Sequence, residues 1–277
     1  MKNFCVVANY SKDGIKELID NIHSYIVSKG GKCYVCEKSV SKNSYTNPAD
    51  IPSDTECVIV IGGDGTFLKA ARDLAVLSLP MTGINMGTLG FLTMTEADDA
   101  LTMIDKLFNE EYSIDFRVQL AINKFGCRPD TALNDVVISR GGYSHLVGIT
   151  VYVNGKVFGR YEGDGLIIST PTGSTGYNLS TGGPIVTPNV DAILITPICP
   201  HAFNARSFVI PATDEVRVLI GNVRHETEEE AYVTVDGEDY VKLTTGQEII
   251  ISKAETRCKM VVPDGVSFID TLYTKLS

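Results

Sequence analysis

The run Gly62-Gly63-Asp64-Gly65-Thr66 sets one carboxylate among glycines where an apolar segment, Cys57–Ile61, gives way to helical spacing. Glycines there can adopt positive φ and, lacking Cβ atoms, let phosphate oxygens come close to backbone N–H groups. The following helix N-terminus adds a favourable field for an anion. A carboxylate beside phosphates is repulsive unless it handles a proton or helps organise a cation. A phosphotransferase acting on an alcohol needs such a group to orient the attacking hydroxyl and accept its proton. The plain structural alternative is that Asp64 caps the helix and the glycines make a turn. The run is neither a Walker A loop nor a G-x-G-x-x-G fingerprint, so hydride chemistry is not indicated.

A second constellation follows the strand-like stretch Asp164–Thr170, in Pro171-Thr172-Gly173-Ser174-Thr175-Gly176-Tyr177-Asn178-Leu179-Ser180-Thr181-Gly182-Gly183. It supplies glycines, neutral hydroxyl and amide groups and one aromatic ring, which suits an uncharged hydrogen-bonding ligand part such as a ribose or an adenine. A Ser/Gly-rich connection between strands accounts for the same residues without a ligand. Asn134-Asp135 ahead of another strand can bracket a ribose diol, or can form an Asx turn. His201 and His145 are read as histidines bonded to backbone before they are read as ligands.

These residues need elements to position them. Phe4–Tyr10 reads as a strand, and Ile15, Leu18, Ile19, Ile22, Tyr25 and Ile26 recur at helical spacing, with Asp13 as a cap and Gly30-Gly31 as a stop. Strands at Lys32–Cys36, Cys57–Ile61 and Pro80–Ile84 alternate with helices from Thr66 to about Val76 and from Glu96 to Phe108, and Ser39–Ser53 reads as a loop. Such alternation implies a mostly parallel sheet with helices on both faces. From about Ile114 the pattern turns to strands: Val118–Asn123, Asp135–Ser139, Val147–Val153, Leu166–Thr170, Ala192–Thr196, Glu215–Ile220, Ala231–Val235 and Glu248–Ser252. Asn154-Gly155 and Asp236-Gly237 are hairpin turns. The expected organisation is an α/β N-terminal domain over 1–113, with 258–277 packing back on it, and a β-rich domain over 114–257.

The 277 residues, 44% hydrophobic and 21% charged, are those of an ordinary globular protein. A formal charge of −10 argues against a general nucleic-acid binder, and no apolar run approaches the length of a membrane span. The acidic run Glu226–Glu230 reads as a solvated loop or strand edge. Seven cysteines without a framework, and an N-terminus without the regions of a secretory signal, lead to the expectation of a cytoplasmic protein. Cys33 and Cys36 form a C-x-x-C, but on a strand they face opposite ways and no second pair completes a metal site.

Taken together, Gly62–Thr66, Asn134-Asp135, Asp164–Thr175 with Tyr177, Pro197–His201 and Val235-Asp236-Gly237 resemble the NAD kinase family. The resemblance implies an α/β nucleotide-binding domain joined to a β-sandwich NAD-binding domain. It implies phosphorylation of the adenosine-side ribose 2′-hydroxyl of NAD by ATP, with Asp64 as proton acceptor and Gly63 and Gly65 against the ligand. By the same transfer Lys69 reaches a phosphate, Asn134 and Asp135 hold ribose or adenine groups, and Asp164 meets the nicotinamide end. Thr175, Gly176, Tyr177, Asn178, Leu179 and Ser180 line the adenine and ribose pocket; His145, Glu162 and Glu238 complete the binding set. Asp135 stands where the family commonly has glutamate, Gly176 where it has alanine, and Glu162 where a basic residue is frequent. Mg²⁺ or another divalent cation is expected to travel with ATP rather than sit on protein ligands. The partners implied are NAD and ATP, with no nucleic acid and no membrane, in a homodimer or homotetramer. A different kinase with the same glycine–aspartate turn, or a non-catalytic dinucleotide sensor, remains the alternative.

Overall fold

The structure, a computed structural model, describes residues 1–36, 46–123, 130–141, 146–202, 205–221 and 229–276. His145 and Glu226–Glu228 lie outside the described residues, as does much of the Ser39–Ser53 stretch. The chain divides into two compact units, Met1–Phe116 with Cys258–Ser277, and Arg117–Arg257.

The N-terminal stretch forms β1 (Asn3–Ala8), α1 (Ile15–Ser28), β2 (Lys32–Val35), β3 (Cys57–Gly62) and α2 (Asp64–Asp73). It continues with β4 (Pro80–Asn85), β5 (Thr95–Glu96), α3 (Ala100–Phe108) and β6 (Tyr112–Arg117). The middle of the chain supplies β7 (Leu120–Asn123), β8 (Asp130–Ala132), β9 (Asp135–Arg140), β10 (Val147–Val153), β11 (Lys156–Gly163) and β12 (Gly165–Ser169). After α4 (Tyr177–Ser180) come β13 (Ala192–Ile198), β14 (Phe208–Pro211), β15 (Val216–Gly221), β16 (Glu230–Val235), β17 (Glu238–Thr244) and β18 (Glu248–Lys253). The chain ends in β19 (Cys258–Pro263) and α5 (Phe268–Leu276).

The first unit holds one sheet in the order β2-β1-β3-β4-β19-β6, with β5 added to β4. β1, β2, β3 and β4 pair in parallel, and so do β4 and β19. Every residue of β3 is buried, as a β-branched run covered on both faces should be. α1 lays Ile15, Ile19, Ile22 and Ile26 on one buried stripe. Its N-cap is Gly14, at φ 74 and with no side-chain cap, so Asp13 does not fill the role expected of it. Gly30, at φ 79, closes the helix as the sequence indicates. α3 begins four residues later than its spacing suggests. Thr95 and Glu96 extend along Ile84 and Asn85 instead, because β4 offers them an unfilled ladder. The chain leaves β1 toward β2 and returns across it to β3, so the strand order reverses between β1 and β3. The carboxyl ends of strands at such a reversal form the ligand crevice of open α/β sheets, and Gly62 ends β3 there.

The second unit is a sandwich of two antiparallel sheets, β11-β10-β15-β18-β7-β8 and β14-β13-β12-β9-β16-β17. Their inner faces meet in one core, to which the first sheet gives Ile149, Val218, Ile249 and Leu120 and the second gives Ile138, Ile168, Ile195 and Val233. The expected α/β unit with a β-sandwich partner is what the chain forms. Asn154-Gly155 and Asp236-Gly237 are hairpin turns with φ of 49 and 76, and 49 and 79. Glu229 departs from the solvated reading of the acidic run. It is 9% exposed, and its Oε2 accepts from Gly148 N at 2.9 Å. Among the described residues no helix is long and apolar enough to cross a membrane.

Gly165 shows how tightly β12 is held. A Cβ there would lie 2.1 Å from the Ile138 carbonyl oxygen of β9, so the strand would have to move. Gly165→Ala is expected to destabilise the second unit by about 2 kcal/mol, within the usual range for overpacking. A urea midpoint equal to that of the parent chain would show that β12 gives way freely.

Candidate active site

Asp64 is the first residue of α2, and its carboxylate turns to the segment after β4. Oδ2 accepts from Phe91 N at 2.8 Å; Oδ1 accepts from Leu92 N at 3.1 Å, Thr93 N at 3.0 Å and Thr93 Oγ1 at 3.0 Å. Asp64 therefore holds a neighbouring loop rather than capping its own helix, whose N-cap is Gly63 with no side-chain bond. A carboxylate offers about four lone-pair positions, two on each oxygen. Oδ1 is filled, and Oδ2 keeps one position open.

The glycines here serve close approach. None of Gly62, Gly63 and Gly65 has positive φ, contrary to the conformational role read for them. A Cβ on Gly62 would sit 2.5 Å from Thr66 Oγ1, whereas Gly63 and Gly65 face open space, which is what an incoming ligand requires. Gly90 is the tightest of all: its Cβ would fall 1.8 Å from Asp64 Oδ1. The first unit also carries a cleft of about 460 Å³ beyond the ends of β1 and β4, lined by Lys12, Asp13, Asn85, Gly87, Glu96 and Asp98 among others. Asn85 Nδ2 donates to Gly87 O at 2.7 Å, and Thr93 Oγ1 lies 3.4 Å from Asn85 Oδ1, so the cleft wall and the Asp64 anchor share one loop. Lys69 is half-buried in the second turn of α2.

In the second unit, Asn134 and Asp135 sit ahead of and at the start of β9. Their main chain is tied to the β16–β17 turn: Asp236 accepts from Leu133 N, Asn134 N and Asp135 N at 2.8, 2.8 and 3.1 Å. The turn is thus made by Asp236 and not by an Asx bond of Asn134. Asn134 Oδ1 is buried without a hydrogen bond. Asp135 is 6% exposed. Burial first, and the nearby Asp236 charge second, push its carboxyl up to about 7. A Cβ on Gly176 would lie 3.4 Å from Asn134 Nδ2 and 3.9 Å from Asp135 Oδ2, so these two polar ends converge beside that glycine.

Many polar groups of the Ser169–Gly183 segment are spent on protein partners, in the segment and just outside it. Thr170 Oγ1 donates to Leu133 O at 2.6 Å, and Ser174 Oγ donates to Val186 O at 3.0 Å. Asn178 is fully buried; its Nδ2 donates to Ser174 O and Pro184 O, and its Oδ1 accepts from Thr196 Oγ1. Its side chain is a strut of the loop. Thr175 Oγ1 donates to Thr172 O at 3.3 Å. Tyr177 is 47% exposed, Ser180 is exposed and Leu179 half-buried. The surface left beside Gly176 is therefore the Tyr177 ring with the Asn134 and Asp135 ends.

Asp164 is half-buried and pairs with Arg140 Nε at 3.0 Å; Glu162 is exposed, and Glu238 is half-buried at the start of β17. Among the described residues, no three His, Cys, Asp or Glu side chains converge as a metal site. Burial raises the Cys33 thiol to about 11 and Cys5 to about 12, the behaviour of inert structural thiols.

Two family profiles cover this frame: the ATP-NAD kinase N-terminal domain over residues 5–112 and the ATP-NAD kinase C-terminal domain over 133–262. The NAD kinase of Lachnoclostridium phytofermentans is 45% identical over 281 residues, spanning 99% of both chains. The chain belongs to the ATP-NAD kinase family. Two solved structures share its architecture. Yeast NADH kinase complexed with NADH matches with TM-score 0.80 at 24% identity, over 99% of this chain and 86% of that one. The NAD kinase of Archaeoglobus fulgidus in complex with ATP matches with TM-score 0.79 at 21% identity, over 99% and 98%.

For an ATP-NAD kinase, the residues that sequence reasoning passed over are Gly90, Phe91, Leu92 and Thr93, and Asp236 enters it only as part of a hairpin turn and of the family resemblance. Gly87-Thr88-Leu89-Gly90 carried the signal, two glycines between a strand and the next element. The raised carboxyl of Asp135 has a stability consequence. Its folded value, about 7, lies above the ordinary 3.8, so the folded state holds the proton more tightly. The associated stability is complete below about pH 4 and is lost as pH rises toward 7. Asp135→Asn should remove this loss: its melting temperature, relative to the parent, rises between pH 5 and pH 8. An offset that stays constant across that range would contradict the assignment.

Proposed function

We propose that the chain transfers the terminal phosphoryl group of ATP to the adenosine-side ribose 2′-hydroxyl of NAD, with Asp64 Oδ2 as the atom that takes the proton. The observation that carries this reading is the asymmetry of the Asp64 carboxylate: Oδ1 accepts three hydrogen bonds, whereas Oδ2 accepts one and keeps a position for the hydroxyl. Three main-chain bonds fix the open oxygen in direction, so no reorganisation is needed as the hydroxyl loses its hydrogen. Gly63 and Gly65 leave room above the first turn of α2, where N–H groups without helical partners favour phosphate oxygens. Lys69 adds positive charge within reach of that end.

Asn134, Asp135, Gly176 and Tyr177 hold the adenosine part, with Thr175, Leu179 and Ser180 at its margins and Asp164, Glu162 and Glu238 further along the dinucleotide. Asn178 serves by shaping the loop. A divalent ion such as Mg²⁺ neutralises charge on the ATP phosphates when bound. The described residues build no protein cage for one, which suits an ion that keeps phosphate and water ligands. A relative at 45% identity is named NAD kinase, which supports the acceptor. The buried free thiols suit a reducing cytoplasm. Exposed Val157, Phe208 and Val209 on the edge strands β11 and β14 support self-association through the β-rich unit as a homodimer or homotetramer.

A coupled assay of NADP formation from NAD and ATP tests the reaction. Asp64→Asn should lower turnover by at least about 100-fold, the usual worth of a general base, while NAD still binds. Near-parental turnover would rule out the base assignment. Gly90→Ala changes no charge, yet its methyl occupies the place of Asp64 Oδ1. Its turnover should fall comparably; full activity in that variant would mean that the Asp64 anchor is not needed.

A further inference from the structure

The turn joining β16 to β17 does more than reverse the chain. Asp236 and Gly237 are both left-handed, with φ of 49 and 79, and this lifts the Asp236 carboxylate back over the residues that precede β9. Oδ2 accepts from Leu133 N at 2.8 Å; Oδ1 accepts from Asn134 N at 2.8 Å and Asp135 N at 3.1 Å. Asp236 N completes the link by donating to Asp135 O at 3.0 Å. A charged acceptor on three successive N–H groups leaves this short turn little freedom.

The side chains so fixed are those whose polar ends lack protein partners. Asn134 Oδ1 is buried with no hydrogen bond, and the carboxyl of Asp135, itself only 6% exposed, accepts none from a described residue. Unsatisfied groups of this kind are costly unless a ligand completes them. A carboxylate can only accept hydrogen bonds, whereas a neutral carboxyl also donates one. Two acidic side chains so close do not both ionise cheaply, and Asp236 accepts three N–H groups whereas the Asp135 carboxyl accepts none from a described residue.

We propose that Asp236 is a positioning residue for the dinucleotide: its grip on the Leu133–Asp135 turn holds the Asp135 carboxyl where it donates a hydrogen bond to an acceptor atom of the nucleoside. The proposal rests on the functional reading above, in which Asn134 and Asp135 face that part of NAD. Beyond burial and the Asp236 charge, no other group among the described residues shifts Asp135. β12 places Ser169 opposite it, and the Pro171–Gly176 segment has no ionisable side chain. Glu238 and Tyr177 are the next titratable groups along β17 and α4. Burial is the larger cause of the raised carboxyl, up to about 7, and the Asp236 charge adds to it in the same direction.

The test is the dissociation constant for NAD, by calorimetry on the full chain from pH 6 to pH 9, beside KM and kcat in the NADP assay. With a group that must be protonated and titrates near 7, NAD binding should weaken by about tenfold between pH 6 and pH 8. Asp236→Asn should move that weakening to lower pH, on top of any uniform loss from the missing bond to Leu133. Asp135→Asn, permanently neutral and still a donor, should abolish the pH dependence whatever its absolute affinity. A turn with only a structural role would weaken binding by one factor at every pH and leave the midpoint in place, and that result overturns the proposal. If Asp236→Asn does not fold, the Asp135→Asn profile decides, and persistence of the pH dependence there also overturns it. Failure of the parent chain to form NADP would count against the functional reading instead, since the binding measurement stands without turnover.

Discussion

A carboxylate that accepts three successive main-chain N–H groups is the interaction on which both units depend. Asp64 does this to Phe91, Leu92 and Thr93, and Asp236 does it to Leu133, Asn134 and Asp135. Loop backbone outside a helix or ladder must find partners elsewhere, and charge-assisted bonds to an anion are among the strongest it can find. In each unit the gripping residue comes from a rigid place, the β3–α2 junction or a tight hairpin. Each gripped segment then has a defined path without being regular structure.

Glycines make those grips possible by what they omit. Gly90 leaves space for the Asp64 carboxylate, and Gly173 lets the 170–176 loop approach Asn134 O so closely that a Cβ would lie 2.2 Å from it. Gly183 does the same for the Asn178 amide, at 2.1 Å. The Ser169–Gly183 segment looks in sequence like a set of hydroxyls offered to a ligand. In the folded chain many of them bond to protein partners in or beside the loop, and it is the polar ends of Asn134 and Asp135 that converge at Gly176. A binding surface defined by the remainder of a satisfied network is stiff, because any shift breaks internal bonds before it changes a ligand contact.

Much of this was legible beforehand. β3 and β10 follow their apolar runs closely, and the Asn154-Gly155 and Asp236-Gly237 turns have the left-handed pairs that such dipeptides favour. Four strands of the sandwich were missed, β8, β11, β14 and β17, and all four are the outer strands of its two sheets. An outer strand buries less, so its sequence is not held to the alternation of a core strand. β14, with only one of its four residues even half-buried, is the plainest case. Asp64 and Asn134-Asp135 can be singled out in the sequence because glycine and acid types announce themselves locally. What holds them, Thr93 and Asp236, lies 29 and 101 residues away along the chain, a separation that no local spacing reveals.

The position of β19 in the first sheet bears on how the protein is made. This strand lies between β4 and β6, although it is the last strand synthesised. Until it arrives, β4 presents an open ladder and β6 has no neighbour on that side. The ribosome must therefore deliver the whole sandwich before the Asp64-bearing sheet can close. Translation thus orders assembly, with the later-coded unit free to mature first while the earlier one waits, its edge in need of protection from stray pairing.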